Sequence, residues 1–547
     1  MLQRPILDTM FELFSKLFTL AVLGIIGVVT YYLWIWTYWM RRGVKGPRGK
    51  PFVGVLNVLL DHEKPGLLKL GEWTEEYGKV YGYTDGNQRT LVVSDPSMVH
   101  EIFVKQFDNF YGRKLNPIQG NPDQDERVHL LSAQGFRWKR LRTISSVSFS
   151  NGSLRKIMST VEDSALDFMK HMEEKSANGE IDMLDAYQEY TMDVIARVAI
   201  GQRDNKMFSD QNELLKIVRQ IFGGSRKYLM LICQVFPVVG HAIRSLTFKY
   251  PKIAPFKLYL MIKKAVMERK EQRDRELENG VEPGEPQDFI DMFLDAKSDD
   301  VDFSKEARED FSKRNMKITK ELSADEVVGQ CFVFVIGGFD TTALALSYVT
   351  YLLTVNPEVQ KKVREEVDAE FGDSEIEFEK LGRLKYMDCV IKEALRLYPL
   401  ASISNSRKCM HTTTVNGVEI EAGVYVQMDT WTLQRDPAIW GDDAMDFKPE
   451  RWESAKQSEY KGAYIPFGLG PRQCIGMRLA VMEQKVLLTH ILKKYSFETG
   501  PSTSIPLKLR KRRREEICHL FPAIVIHHLQ ILPLPTDKSK HGEQNQR

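Results

Sequence analysis

Phe467-Gly468-Leu469-Gly470-Pro471-Arg472-Gln473-Cys474-Ile475-Gly476 sets one thiol in a glycine-rich loop that runs straight into an apolar helix beginning near Met477. No second Cys or His lies within a few residues, which argues against a zinc site with paired ligands. A lone Cys in such a loop suits an iron that takes its in-plane bonds elsewhere, and haem is such an iron. Gly470 and Gly476 would let the backbone approach a flat macrocycle. The helix that follows aims N–H groups and its positive dipole end at the sulfur, which favours thiolate. Arg472 is placed to pair with a propionate, and Phe467 to shield the sulfur. The competing reading is a buried structural Cys beside a tight turn.

The chain has 547 residues, 43% hydrophobic and 27% charged, an ordinary globular balance. Lys plus Arg (76) nearly equals Asp plus Glu (74). Neither bulk charge nor a zinc-finger spacing points to nucleic acid, so no nucleic-acid partner is expected. Cys233, Cys331, Cys389, Cys409, Cys474 and Cys518 form no framework pattern, and a reducing compartment is expected.

Leu17 to Met40 carries no charge and is long enough to span a bilayer. Tyr31, Tyr32, Trp34, Trp36, Tyr38 and Trp39 crowd its C-terminal end, as an interfacial belt would. Arg41, Arg42, Lys45, Arg48 and Lys50 follow, while the charges before the run cancel. The positive-inside rule then places everything after residue 40 in the cytosol. Gly46-Pro47-Arg48-Gly49-Lys50-Pro51 reads as a stiff connector.

Beyond Pro96 the periodicity is mostly helical, with short strand-like runs such as Thr414 to Ile420, where Asn416-Gly417 signals a hairpin. Residues 270–320 read as solvated helix and loop. Val327 to Val355 is apolar except for Asp340, which makes it a second candidate span. Against that, a mid-span charge is expensive, and Gly337-Gly338 and Thr341-Thr342 loosen the helix at the same place. Ser323 to Glu326 forms a capped acidic start and Asn356-Pro357 a stop. The expectation is the central helix of one large domain, mainly α with minor β.

The Cys474 loop resembles the haem-binding loop of the cytochrome P450 family, F-x-x-G-x-R-x-C-x-G, with every fixed position matched. Four further stretches carry the resemblance. Gly337-Gly338-Phe339-Asp340-Thr341-Thr342 is similar to the family's distal-helix signature, which implies that Thr341 holds a water network on the oxygen side and that Asp340 feeds it protons. Glu393-Ala394-Leu395-Arg396 and Phe447-Lys448-Pro449-Glu450-Arg451-Trp452 resemble the E-x-x-R helix and P-E-R-F/W loop. There Glu393, Arg396 and Arg451 would form a buried network fixing the Cys474 loop. Trp138-Lys139-Arg140-Leu141-Arg142 matches W-x-x-x-R, so Trp138 and Arg142 would contact propionates, and Arg407 is a third candidate. Arg137, Lys139 and Arg140 would point elsewhere, either as a basic patch for an acidic flavoprotein or as simple solvated charge. Residues 191–201 resemble the packing helix that precedes the family's substrate lid. Leu229 to Val239 would then form part of that lid, at the bilayer or buried.

The resemblance implies haem b (iron protoporphyrin IX) with Cys474 as its axial thiolate. It implies a monooxygenase acting on a lipophilic small molecule (xenobiotic, steroid or fatty acid). Electrons would come from NADPH through a flavoprotein reductase, with or without cytochrome b5. Membrane lipid is a further expected partner. The expected setting is the endoplasmic reticulum membrane, single-pass, with the catalytic domain facing the cytosol. The pattern is nearest the microsomal clan of steroid- and drug-oxidising liver enzymes. The implied division is an anchor at 1–40, a hinge at 41–51, a haem domain at 52–509 and an atypical basic tail, open to disorder, at 510–547. Gln434 stands where many relatives carry His. Arg510 to Arg514 interrupts the place where the family has a terminal hairpin. A haem-thiolate isomerase or dehydratase, or a non-catalytic membrane haem protein, stays open as an alternative.

Overall fold

In the computed structural model, the described residues are 4–61, 65–115, 122, 125, 127–176, 181–202, 207–209, 211–223, 227–249, 253–282, 284–296, 321–400, 404–453, 460, 462–507 and 529–533. A long apolar helix, Arg4–Trp36, leads the chain. The most apolar 18-residue window of its Met10–Trp36 stretch has mean hydropathy 2.1 and is wholly exposed. Those 27 residues extend about 40 Å as a helix, more than a hydrocarbon core requires.

The aromatic cluster at the end of that helix divides between two environments. Tyr31 and Trp34 face outward, whereas Tyr32, Ile35, Tyr38 and Trp39 are buried against the catalytic body. Trp39 fits there because residue 82 is glycine: a Cβ at Gly82 would lie 2.2 Å from the indole. The Trp39 Nε1–H also donates to Tyr83 O at 2.8 Å. The Tyr38 hydroxyl donates to Glu421 at 2.8 Å, and Arg42 pairs with the same carboxylate. The connector lies along the sheet, with Gly82 N donating to Lys45 O at 2.8 Å.

A four-stranded sheet holds the strands β1 (Val80–Asp85), β2 (Gln88–Val93), β3 (Ser406–Lys408) and β6 (Tyr425–Met428), in the order β1-β2-β6-β3. β2 and β6 run parallel, with Leu91 opposite Val426. β4 (Thr413–Val415) and β5 (Val418–Ile420) make the expected hairpin, Asn416 and Gly417 both taking positive φ as a type I′ turn needs.

Helices form the rest. The central helix, Ala324–Val355, starts from a Ser323–Glu326 capping box and buries two thirds of its most apolar window. Burial inside protein, rather than lipid, explains its hydropathy. It runs unbroken through Gly337-Gly338, where loosening was expected. The double glycine instead serves contact: a Cβ at Gly338 would meet Ile195 at 2.9 Å, while one at Gly337 would meet open space. Gly338 therefore lets the helix Met183–Ile200 pack closely alongside. Ala254–Glu278, the Glu393 helix (Lys385–Leu397) and the helix that follows the Cys474 loop (Met477–Lys494) pack on its other sides, and the Trp138 helix (Gly135–Ser148) is tied to its start through Arg140 and Glu326.

β7 (Tyr495–Thr499) pairs antiparallel with β8 (Leu529–Pro533), so a strand closes this edge from within the stretch assigned to an atypical tail. Arg510 to Arg514, and residues 297–320 of the charged stretch, lie outside the described residues.

Candidate active site

Between the central helix and the Cys474 loop lies a cavity with about 1450 Å³ of atom-free space, including its open mouth. Gly337, Gly338, Thr341 and Thr342 form one wall; Phe467, Cys474 and Gly476 form the facing wall. The Cys474 side chain is accessible only in the sense that it faces this interior space. Burial pushes its thiol up, opposed by the N–H groups of Gly476 and Met477 and by the charges of Arg142 and Arg113. Desolvation outweighs the helix end that was expected to favour thiolate. A metal cation at the sulfur reverses that balance, because a coordinating thiol is deprotonated outright.

The loop is held by its own backbone: Cys474 N donates to Phe467 O at 2.8 Å. Gly470 has a different task from the expected one. It takes φ +74°, and a Cβ there would lie 2.0 Å from Phe103 O, so it seats the loop against protein rather than against a macrocycle. Gly476 does line the cavity.

Four arginines gather at one side. Arg113, Arg142 and Arg472 line the cavity, and Arg407 sits behind them, 2% exposed. Arg142 donates to Gln473 O at 2.8 Å, and Arg113 to Arg472 O at 3.4 Å. The Arg472 guanidinium lies 4.6 Å over Trp138, and that of Arg407 lies 4.4 Å over Phe103. Among the described residues no carboxylate pairs with any of the four, and Nε of Arg113, Arg407 and Arg472 is buried without an acceptor. Burial, reinforced by the neighbouring cations, drives Arg407 and Arg472 well below the usual guanidinium range; burial pushes Arg113 down to about 10.

Buried unpaired charge is costly, so this cluster is built for an anionic guest. A macrocycle with two propionates at one edge and an iron needing a single axial ligand fits the donor set: one sulfur, four cations and otherwise mostly apolar walls. Cys474 would hold the iron. Trp138, Arg142, Arg472 and Arg113 would hold the propionate edge.

Two expected site residues part company. Thr341 lines the cavity, its hydroxyl donating to Gly337 O at 2.6 Å. Asp340 is 2% exposed, lies off the cavity wall, and accepts from Gln188 Nε2 at 2.9 Å. Consecutive helical residues project about 100° apart, which separates the pair.

Glu393, Arg396 and Arg451 do meet. Glu393 accepts from Arg396 Nε and Nη2, both at 2.8 Å, from Arg451 Nε at 3.3 Å, from Trp452 Nε1 at 2.9 Å and from Lys448 N at 3.2 Å. Gln434 tightens the same region, donating to Leu395 O and Arg396 O and accepting from Ile465 N. The basic patch is largely used up: Arg140 binds Glu326 at 2.7 Å and Arg137 lies 3.7 Å from it. Of the lid stretch, Cys233 and Val235 are buried while Ile232, Phe236 and Val238 are exposed.

Sequence reasoning missed Arg113 and Glu483. Arg113 carries no local motif; the bridge between Gly112 and Lys408 brings it to the site. Glu483 lines the cavity with no ion partner among the described residues, and burial pushes its carboxyl up to about 8. Its only signal is its position nine residues past Cys474, on the helix face shared with Ala480.

A sequence model of the family described as Cytochrome P450 matches residues 44–518. Among curated relatives, the Caenorhabditis elegans protein named cytochrome P450 CYP13A2 is 74% identical over 485 residues, covering 88% of this chain and 93% of that one. CYP13A5 of the same organism is 56% identical over 495 residues (90% and 95%), and CYP13A4 is 57% identical over 490 residues (88% and 94%). With a thiol facing a cavity rimmed by unpaired arginines and matches spanning most of its length, the chain belongs to the cytochrome P450 family, the haem-thiolate monooxygenases.

Proposed function

We propose that this chain is a single-pass monooxygenase of the endoplasmic reticulum, its catalytic domain in the cytosol. It takes electrons from NADPH through a flavoprotein reductase and inserts one oxygen atom into a lipophilic small molecule of the xenobiotic, steroid or fatty-acid kind. The observation that carries this reading is the opposition of Cys474 and Thr341 across a largely apolar cavity with unpaired arginines at one side. Haem bound there supplies oxygen activation. The protein's own residues do the rest. Cys474 would hold the iron through its sulfur. Trp138, Arg142 and Arg472, joined by Arg113 and with Arg407 behind them, would fix the carboxylate edge. Phe467 covers the sulfur, and Leu130, Val333 and Phe334 exclude water. Thr341 lines the cavity, where its hydroxyl oxygen can hold an ordered water that passes a proton; Asp340, one residue before it but off the cavity wall, would have to turn toward the cavity to resupply that water. The Glu393–Arg396–Arg451 network holds the loop in register.

The test is reconstitution of the full chain in phospholipid vesicles with NADPH and reductase, against a panel of steroids, fatty acids and drug-like amines. Oxygenated product formed in proportion to NADPH consumed supports the reading. Turnover without NADPH would instead indicate an isomerase or dehydratase, and a haem protein with no product in any arm a non-catalytic binder.

A further inference from the structure

Gln434 is fully buried, and its amide is engaged at both ends. Nε2 donates to Leu395 O at 3.0 Å and to Arg396 O at 2.9 Å, carbonyls in the last turn of Lys385–Leu397 that have no acceptor role left inside the helix. Oε1 accepts from Ile465 N at 2.9 Å. Carbonyls at one end and an N–H at the other fix which way the amide is turned. The Gln434 backbone is tied as well: its carbonyl accepts from Arg396 Nη1 at 2.9 Å, and its N–H donates to Thr430 O at 3.1 Å. Three side-chain bonds of this kind need two donors and one acceptor. A neutral imidazole offers one of each and a carboxylate offers no donor, so a carboxamide is what completes the set.

From Ile465 the hold passes toward the sulfur in three steps. Ile465 O accepts from Gly468 N at 3.0 Å, Pro466 stiffens the next link, and Phe467 O accepts from Cys474 N at 2.8 Å. Arg396 and Arg451 themselves bind carbonyls at Trp440, Ala444 and Asp446, well before this loop in the chain. Tyr464 packs on Trp452 at 4.5 Å and gives the same unit an aromatic contact beside Ile465; the directional bond is the one from Gln434.

We propose that Gln434 is the positioning residue that carries the order of the Glu393 unit to Cys474. Its carboxamide sets Ile465 and, through Pro466 and Phe467, the seat of the sulfur. This inference rests on the haem-thiolate reading above.

The test is the resonance Raman iron–sulfur stretch of the full-length ferric haem protein, in the parent, Q434L, Q434N and Q360L. Q434L removes all three side-chain bonds. Q434N keeps an amide one methylene shorter, which cannot span the helix carbonyls and Ile465 at once, and it reads out even where Q434L fails to fold. Q360L is the control: Gln360 is a second buried amide clamp, donating to Leu353 O and Phe497 O and accepting from Phe497 N, off the cavity wall. Expected are a displaced stretch in Q434L and Q434N and the parent stretch in Q360L. A parent stretch in Q434N, or an equal displacement in Q360L, overturns the proposal. A parent protein without thiolate-type absorption removes the haem-thiolate reading itself, and this inference with it.

Discussion

Thr341 and Asp340 are neighbours in sequence with opposite surroundings, and their variants separate accordingly. Thr341→Ala removes a cavity hydroxyl already tied to Gly337 O, so haem retention is unaffected. Coupled product formation should fall by roughly 10²-fold while peroxide rises, measured as peroxide per NADPH. Tight coupling in that variant removes Thr341 from the proton route. Glu483 gives a second test at this scale. Its carboxyl moves from about 4.3 in the unfolded chain to about 8 in the fold, so the neutral acid is the favoured native form. The associated stability is full below the unfolded value and is lost as pH rises through the folded one. Thermal unfolding of E483Q should therefore gain on the parent at pH 8.5 relative to pH 5.5; an equal difference at both pH values contradicts the assignment.

Among the elements, the Glu393 helix and the Arg451 loop form the tightest polar unit. Glu393 and Arg396 have fully buried side chains, and Arg451 is 5% exposed. Removing one member strands the others: Arg396→Leu should lose about 3–5 kcal/mol in urea unfolding, with haem content falling before turnover per haem does. An unchanged unfolding midpoint would show that the unit does not hold the loop. This network was legible in sequence because its parts are motif residues on short, fixed segments. The central helix was legible too, since Asp340 and the Ser323 cap told against a membrane span. Arg113 and Glu483 were not, because their places at the cavity arise from long-range packing that no local pattern encodes. The loop glycines were half legible: the need for glycine showed, but its cause at Gly470, the carbonyl of Phe103, required the fold.

For the molecule as a whole, the N-terminal apolar helix is not a free arm. Tyr38, Trp39 and Arg42 lock it to β1 and Glu421, while Tyr32 packs on Phe236, whose neighbours Ile232 and Val238 are exposed. This places a second apolar surface beside the N-terminal helix, and if that helix enters a bilayer the two should act together. Deleting residues 1–30 should leave part of the protein on microsomes, and adding V238D should release most of it, measured by sedimentation with vesicles. Full release by the deletion alone would show that the patch does not touch lipid.

Everything depends on one sulfur meeting one iron. The most direct measurement is the absorption of the reduced protein with carbon monoxide, for the parent and for Cys474→Ser. The haem-thiolate assignment requires the thiolate-type band in the parent and its loss in the variant. The same band in both, or a colourless parent, contradicts it.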